Sequence, residues 1–356
     1  MKSISGKNWE ELQTNKRLIE KTKIDENFTD IQAKLVISRN FSVEEIYSIK
    51  NHVNFNNPFL KTKDFLLACD LITKHIIKKD NILIIGDYDV DGCLSTSLMV
   101  NFLKKNKTNV KYYIPDRLKD GYGANKNLIN RLIYLYKPQL IIFLDCGSNS
   151  YEALKSIDSK KISSLIIDHH NIQKPYPLTQ ILINPKKECD YKKYDYLCTV
   201  FLTYFFIDLC IKKNNLNIEI LQDRIYVILA TIADVMPMRD INRLLALNVL
   251  ENFDIDNNST FNFLFKILKQ KKKLELDDLG YLIAPILNSA GRLDNANQIV
   301  ELFTTSSNKR KIQIIKKIYN LNLKRKLLEK KCLNDLNFID LYKIKGVLFI
   351  YKTNIP

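Results

Sequence analysis

Five short apolar runs punctuate the middle of the chain, at residues 82–85, 110–114, 140–144, 164–167 and 181–183. Each has the length of a strand. The runs at 82–85, 140–144 and 164–167 are continuous rather than alternating, which predicts strands buried on both faces. Between the runs, apolar residues recur at helical spacing over 95–105, 126–136 and 150–156. Strand, loop and helix repeated from about 81 to 250 predict an α/β core with a mostly parallel sheet flanked by helices. Residues 1–80 read as an N-terminal helical region: Ser42-Val43-Glu44-Glu45 has the form of a capping box, and 62–79 carry a helical apolar pattern. Residues 251–306 read as the helical remainder of that core, with Ala284-Pro285 and Gly291 as breaks. From 307 to 336 breakers are few and Lys/Arg many. Apolar positions at Ile312, Ile315, Ile318, Leu321 and Leu328 predict one long basic connecting helix. The run Gly346–Tyr351 predicts a new strand, so 337–356 is expected to be the first strand of an incomplete second α/β domain. The longest apolar stretch lies between Asp195 and Asp208. It is too short for a membrane span and predicts a buried helix.

Three of the strand runs end in ligand-type side chains. Residues 82–85 lead into Gly86-Asp87-Tyr88-Asp89-Val90-Asp91-Gly92, 140–144 into Asp145-Cys146-Gly147, and 165–167 into Asp168-His169-His170. A buried parallel strand delivers its chemistry at its C-terminal end, so the three predict one metal site assembled from distant parts of the chain. Asp87, Asp89 and Asp91 alternate, which in extended backbone puts three carboxylates on one side. Such a cluster repels itself unless a cation neutralises it. A calcium loop of the EF-hand type also begins Asp-x-Asp-x-Asp-Gly, but it needs a glutamate at its twelfth position, and here that position is Leu98. Taken singly, the Asp triplet also suits a structural turn, and Asp145 a helix cap. Adjacent histidines beside an aspartate rarely serve packing. Asp234, in the apolar segment Thr231-Ile232-Ala233-Asp234-Val235-Met236, needs a partner if buried, and a cap or an ion pair would supply one equally well. Read together, these are oxygen and imidazole donors without thiolates, a set that suits Mn²⁺ or Mg²⁺ rather than structural zinc. Several carboxylates permit two ions that share a bridging aspartate, an arrangement suited to phosphoryl chemistry.

Composition adds direction to this chemistry. Fifty-five Lys+Arg against 39 Asp+Glu leave a formal charge of +16. Lysine-rich coding accounts for such a charge as readily as attraction to a polyanion does, and a phosphate-directed site favours the second. The seven cysteines are scattered, odd in number and without a Cys-x-x-Cys pair, which argues against a zinc ribbon or a disulfide framework and suits a reducing, cytoplasmic setting. Residues 1–10 contain no apolar core of a secretory signal.

The order Asp-x-Asp, Asp, Asp-His-His, Asp resembles the DHH phosphoesterase superfamily. Gly86–Gly92, Pro115-Asp116-Arg117 with Gly121-Tyr122-Gly123, and Leu287-Asn288-Ser289-Ala290-Gly291-Arg292-Leu293-Asp294 resemble its RecJ branch of single-strand-specific 5′→3′ DNA exonucleases. The Asp-His-His motif is specific only to the superfamily, and the other two are much closer to the branch. The resemblance runs from about Leu35 to the end of the chain. It implies Asp89, Asp91, Asp145, His169 and Asp234 as ligands of two divalent ions, Mn²⁺ or Mg²⁺, with Asp145 bridging. It implies Asp87 as support of that shell, His170 beside the scissile phosphate, and Asp168 as the residue that orients the histidines. Arg117 and Arg292, with Asn288, are implied to hold DNA phosphates, a task suited to a permanently charged, forked guanidinium.

This chain departs from the pattern in places. Ile85 stands where several superfamily members have a histidine, Thr199, Phe201, Ala230 and Ala284 replace glycines, and Ile286 replaces an arginine. RecJ proteins continue into a second domain with a Gly-Gly-His motif and then an OB-fold. This chain is expected to stop within that domain's first strand. The implied activity is metal-dependent hydrolysis of single-stranded DNA from a 5′ end in repair and recombination, with a single-strand-binding protein and a helicase as implied partners and no membrane association. The alternatives are a phosphodiesterase for short oligonucleotides or cyclic dinucleotides, and a non-catalytic nucleic-acid-binding remnant.

Overall fold

The computed structural model describes residues 3–10, 12–51, 53, 55–117, 119–121, 123–268 and 273–336. The strand expected at 346–351, the second-domain start assigned to 337–356, and Tyr122 lie outside the described residues. The chain divides into two compact units, one of residues up to 55 with 239–244, the other of 56–238 and 245 onwards.

The smaller unit is helical. Its helices are α1 (Lys16–Glu26), α2 (Asp30–Ser38) and α3 (Val43–Lys50), and they share a core of Ile19, Phe28, Ala33, Val36 and Ile46. The predicted capping box forms: Ser42 Oγ accepts the Glu45 amide at 3.1 Å, and the Glu45 carboxylate accepts the Ser42 amide at 2.8 Å. The same buried carboxylate takes both arms of Arg239, which also donates to the carbonyls of Arg39 and Asn40. The hydrogen bonds from Arg239 hold the Glu45 carboxyl below its ordinary pKa.

The larger unit is built on five parallel strands, β1 (Ile82–Gly86), β2 (Val110–Tyr113), β3 (Leu140–Leu144), β4 (Ser163–Ile167) and β5 (Ile181–Ile183), in the order β2-β1-β3-β4-β5. Interleaved with and following the strands run α4 (Lys63–Ile77), α5 (Val90–Lys105), α6 (Lys126–Tyr136), α7 (Tyr151–Ser159), α8 (Thr199–Lys213), α9 (Arg224–Ala233), α10 (Asp240–Asn252, of which 240–244 belong to the smaller unit), α11 (Ser259–Ile267), α12 (Ala284–Leu293), α13 (Asn297–Thr304) and α14 (Asn308–Leu336). Leu83, Ile85, Ile141, Phe143 and Ile166 face α6 and α7 through Leu128, Leu132, Leu154 and Ile157. The alternate residues face the other side, where α5 packs on β1 and β3, α8 on β4 and α4 on β5. Every residue of β1 and β3 is buried, the physical basis of their uninterrupted apolar runs.

The helix at 63–77, grouped by sequence with the N-terminal region, belongs to this larger unit. Its buried residues Phe65, Ala68, Cys69 and Ile72 form the face that covers β5 and α8, so the division falls at 55/56 rather than 80. Helix α14 buries Ile314, Ile315 and Ile318 on its contacts with α11, α12 and α13. Among the described residues no helix is long and apolar enough to cross a membrane.

Candidate metal centre

β2 and β3 flank β1, so the chain order reverses beside β1 and the loops leaving neighbouring strands diverge there. Ligand sites in open parallel sheets form at that point, outside the carboxyl ends of the strands. The loop after β1 carries Asp87, Asp89 and Asp91, the end of β3 carries Asp145, and the end of β4 carries Asp168, His169 and His170. Asp234 arrives from another direction, as the residue that ends α9.

Local structure fixes each of these side chains. Asp89 is the N-cap of α5, its Oδ1 accepting the Gly92 amide at 2.9 Å. The loop closes tightly enough that a Cβ on Gly92 would lie 2.5 Å from the backbone of Asp87. Asp91, 1% exposed, accepts the first amides of α8: Thr199 N on Oδ2 at 2.7 Å and Val200 N on Oδ1 at 2.8 Å. Asp145 has φ of +61°, a left-handed backbone that costs a non-glycine residue about 1–3 kcal/mol and persists only where its surroundings hold it. Thr199 helps hold it, its hydroxyl donating to Asp145 Oδ1 at 3.0 Å.

Asp168 turns inward. Its Oδ1 accepts the amides of His169 and His170 at 2.7 and 3.1 Å and lies 2.8 Å from His170 Nδ1, while Oδ2 accepts the Ser148 amide at 3.1 Å. Asn184 ties the turn down through Ser148 Oγ and the His170 carbonyl. Asp168 therefore shapes the turn that presents the two imidazoles, and it is not among the residues whose donor atoms converge.

The remaining residues converge. His169 Nε2 lies 3.4 Å from Asp145 Oδ1, 3.4 Å from Asp234 Oδ2 and 3.7 Å from Asp91 Oδ2. Asp87, Asp89 and Asp145 bring one carboxylate oxygen each within 4.8 Å of one another, as do the donor atoms of Asp91, His169 and Asp234, and those of Asp145, His169 and His170. Asp145 and His169 each belong to two of these overlapping groups.

The electrostatics of the cluster are unbalanced. Burial pushes Asp87 up to about 7, with the Asp89 charge adding to it. Burial likewise raises Asp91 to about 6 against the pull of His169, and Asp234 to about 6 with Asp89 contributing. Asp145 is driven well above the carboxylate range by burial and then by Asp91 and Asp89. Burial also lowers His169, keeping its imidazole neutral. Asp168 is the exception: burial would raise it, but bonds from His170 and Ser148 overcome that and hold it well below the usual range. The same bond raises His170 to about 9, as a protonated imidazolium.

Asp87 Oδ1, Asp145 Oδ2 and His169 Nδ1 are buried with no hydrogen-bond partner. Orphaned buried acceptors beside crowded carboxylates are the signature of a missing positive charge. Oxygen donors with one neutral imidazole fit a hard divalent cation. The nearby thiols of Cys93, Cys146 and Cys198 are pushed far up by burial and by neighbouring aspartates, so they present no thiolate.

The cluster has a cavity on either side. One, of about 240 Å³, is lined by Tyr88, Asp89, Asp91, Asp234 and the three predicted phosphate contacts, Arg117, Asn288 and Arg292. The other, of about 400 Å³, reaches Asp145, Asp168 and His170 between the starts of α6 and α7. Arg117 lies over the Tyr88 ring at 5.7 Å. Asp294 pairs with Lys317 at 2.6 Å rather than with Arg292, whose guanidinium has no ion pair among the described residues. Gly291 permits the approach of α12: a Cβ there would sit 2.4 Å from the Tyr88 carbonyl. The eleven residues to which the resemblance gives a role thus all line the cluster or its cavities. Sequence reasoning missed Thr199, Ser148 and Asn184. Thr199 stood out only as a substituted glycine, and no local pattern ties it to Asp145.

Residues 81–233 match the DHH family, N-terminal domain, so the chain carries a domain of the DHH class. Within that class it is homologous to the RecJ exonucleases. It is 30% identical over 312 residues to the single-stranded-DNA-specific exonuclease RecJ of Bacillus subtilis (strain 168), covering 86% of this chain and 38% of that protein. It is 25% identical over 307 residues to RecJ of Escherichia coli (strain K12), covering 82% and 53%. The crystal structure of RecJ in complex with Mn²⁺ from Thermus thermophilus shares the fold with a TM-score of 0.74 at 20% identity, over 90% of this chain and 46% of that one. The chain therefore spans 38% and 53% of the length of these two curated relatives.

Proposed function

We propose that this protein is a metal-dependent nuclease that hydrolyses phosphodiester bonds of single-stranded DNA from a 5′ end. The observation that carries the reading is the set of buried, unpartnered carboxylate and imidazole atoms at the strand ends, in a cluster whose Asp89, Asp91 and Asp234 line a cavity with two arginines. Asp89, Asp91, Asp145, His169 and Asp234 would hold two divalent ions, Mn²⁺ or Mg²⁺, with Asp145, a member of two of the donor groups, available to both and Asp87 supporting the shell. When bound, such ions supply Lewis acidity, acidifying an attacking water and offsetting charge on the phosphate.

The protein's own groups do the rest. Arg117 and Arg292 grip phosphate oxygens with bidentate geometry, and Asn288, one turn before Arg292 on α12, adds a neutral contact. His170 is held protonated by Asp168, so it approaches the phosphate as a donor, stabilising developing negative charge or protonating the leaving oxygen. Burial around Asp145 and His169 excludes bulk water, which strengthens every one of these interactions. The relatives are named as single-stranded-DNA-specific exonucleases, which favours this substrate over cyclic dinucleotides. A single-strand-binding protein and a helicase are partners we propose by the same kinship.

The test is digestion of 5′-phosphorylated single-stranded DNA, of the matching duplex and of a dinucleotide, with Mn²⁺ or with chelator. Mononucleotides released from the 5′ end of the single strand are expected. Preference for the dinucleotide would replace this reading with the short-oligonucleotide one.

A further inference from the structure

We infer that the cavity beyond Arg292 is a nucleobase subsite, in which Tyr281 stacks on a base of the bound strand and Arg325 meets its phosphate. The inference rests on the nuclease reading above and adds a second contact zone to it. The cavity measures about 590 Å³ and is continuous with the one at the metal cluster, since Ala233, Asn288 and Arg292 line both. Most of its remaining wall is apolar, with Val235, Met236, Met238, Leu276 and Tyr281 among the lining residues. An apolar floor between two guanidinium groups matches the make-up of a single nucleotide, whose base is flat and whose phosphate is anionic. One carboxylate, Asp277, also lines it.

The tyrosine is placed by an unusual piece of backbone. Asp278–Ile283 form a π-helical turn immediately before α12. Such turns are rare and concentrate at functional sites. Leu279 and Ile283 are buried by the turn, while Tyr281 is 78% exposed. A tyrosine held out over an apolar floor offers a ring face to stack upon. The turn is anchored to the metal site's own scaffold. A Cβ on Gly280 would lie 3.0 Å from Ile232, two residues before Asp234. Arg325, from α14, uses two of its five donors on Asn322 and Glu329, at 3.1 Å each, and the others remain for a phosphate.

Distance assigns the subsite to a nucleotide removed from the reacting one. Ala284, Asn288 and Arg292 form a stripe along α12 that rises about 12 Å at about 1.5 Å per residue, with Tyr281 beyond its far end. A strand gripped by Arg292 near the cluster reaches Tyr281 only if it continues past the first nucleotides. The basic face of α14, with ten Lys/Arg against two acids between 308 and 336, suits the same continuing backbone.

Fluorescence anisotropy with a labelled twelve-nucleotide thymidine strand and a labelled thymidine dinucleotide, in chelator so that neither is cut, tests this. Loss of one stacked base corresponds to about 5- to 150-fold in affinity. Tyr281→Ala is expected to weaken the long strand by that factor and the dinucleotide far less, with Tyr281→Phe restoring long-strand binding. Equal weakening of both ligands, or of neither, overturns the subsite. Digestion of the same long strand by the parent protein in Mn²⁺ separates the two ideas. A cleaved strand whose binding ignores Tyr281 removes the subsite alone. A strand bound through Tyr281 yet never cleaved removes the nuclease reading alone.

Discussion

Asp145 concentrates the logic of the centre in one residue. Its backbone is in the left-handed region, one of its oxygens accepts the Thr199 hydroxyl, and the other is buried with no partner. Holding an aspartate this way costs stability, which is the usual condition of a side chain positioned for chemistry. Thr199 is then a positioning residue. Groups of this kind, one step removed from the ligands, typically change metal affinity by 10- to 100-fold. Thr199→Val keeps the shape and removes the hydroxyl, and titration with Mn²⁺ by calorimetry should show a loss in that range in a protein that still unfolds cooperatively.

The second consequence at this scale concerns pH. His170 has a pKa raised above its ordinary value, to about 9, chiefly by its bond to Asp168. A raised value in a histidine means the protonated form is retained up to that pH and lost above it. An activity that needs this proton should therefore fall along an alkaline limb at or below about pH 9, since cations bound to the neighbouring carboxylates oppose the protonated form. Asp168→Asn removes the negative partner, so the limb should move toward lower pH in a pH–rate profile. An unmoved limb would assign it to another group.

At the scale of elements, the strands were legible because burial on both faces leaves no polar position to interrupt them, as in β1 and β3. Helix starts were legible where a side chain caps locally, as Ser42 and Glu45 do. What the sequence did not disclose depends on contacts between remote segments. Asp91 accepts amides from residues more than a hundred positions away. Nothing local marks that the N-terminus of α8 leans on the loop after β1, or that α4 is needed to cover β5. The π-turn before α12 was equally invisible, since Asp278–Ile283 read as ordinary helix. That the strand-end aspartates and histidines cluster was legible in their type and order, but which oxygens stay unpartnered is a property of packing.

α12 carries a prediction of its own. Gly291 lets the helix touch the Tyr88 carbonyl, and any side chain there would force the two apart. Gly291→Ala should displace the loop bearing Asp87, Asp89 and Asp91 and lower the melting temperature by several degrees, since a clash in a packed interior typically costs about 1–3 kcal/mol. Differential scanning calorimetry on the metal-free protein reads this directly. A neutral or stabilising result would mean that α12 is free to shift.

The larger unit is built on a parallel sheet, and the chain as a whole is strongly basic. With a formal charge of +16, a long basic helix, and arginines at the cavity, its attraction to a phosphate backbone should be largely electrostatic. Binding of single strands should weaken linearly on a log–log plot against salt, with a slope of about −0.7 per phosphate neutralised. Arg325→Ala should make that slope shallower by roughly one contact.

We propose the cluster at the strand ends as a metal-dependent phosphodiesterase centre. The most direct measurement is mononucleotide release from 5′-phosphorylated single-stranded DNA, by this 356-residue chain and by its Asp145→Ala variant, each with Mn²⁺ and with chelator. Release is expected from the parent with Mn²⁺ alone and none from the variant, both proteins melting cooperatively. Release that survives the chelator, or that persists undiminished in the variant, would contradict the proposal.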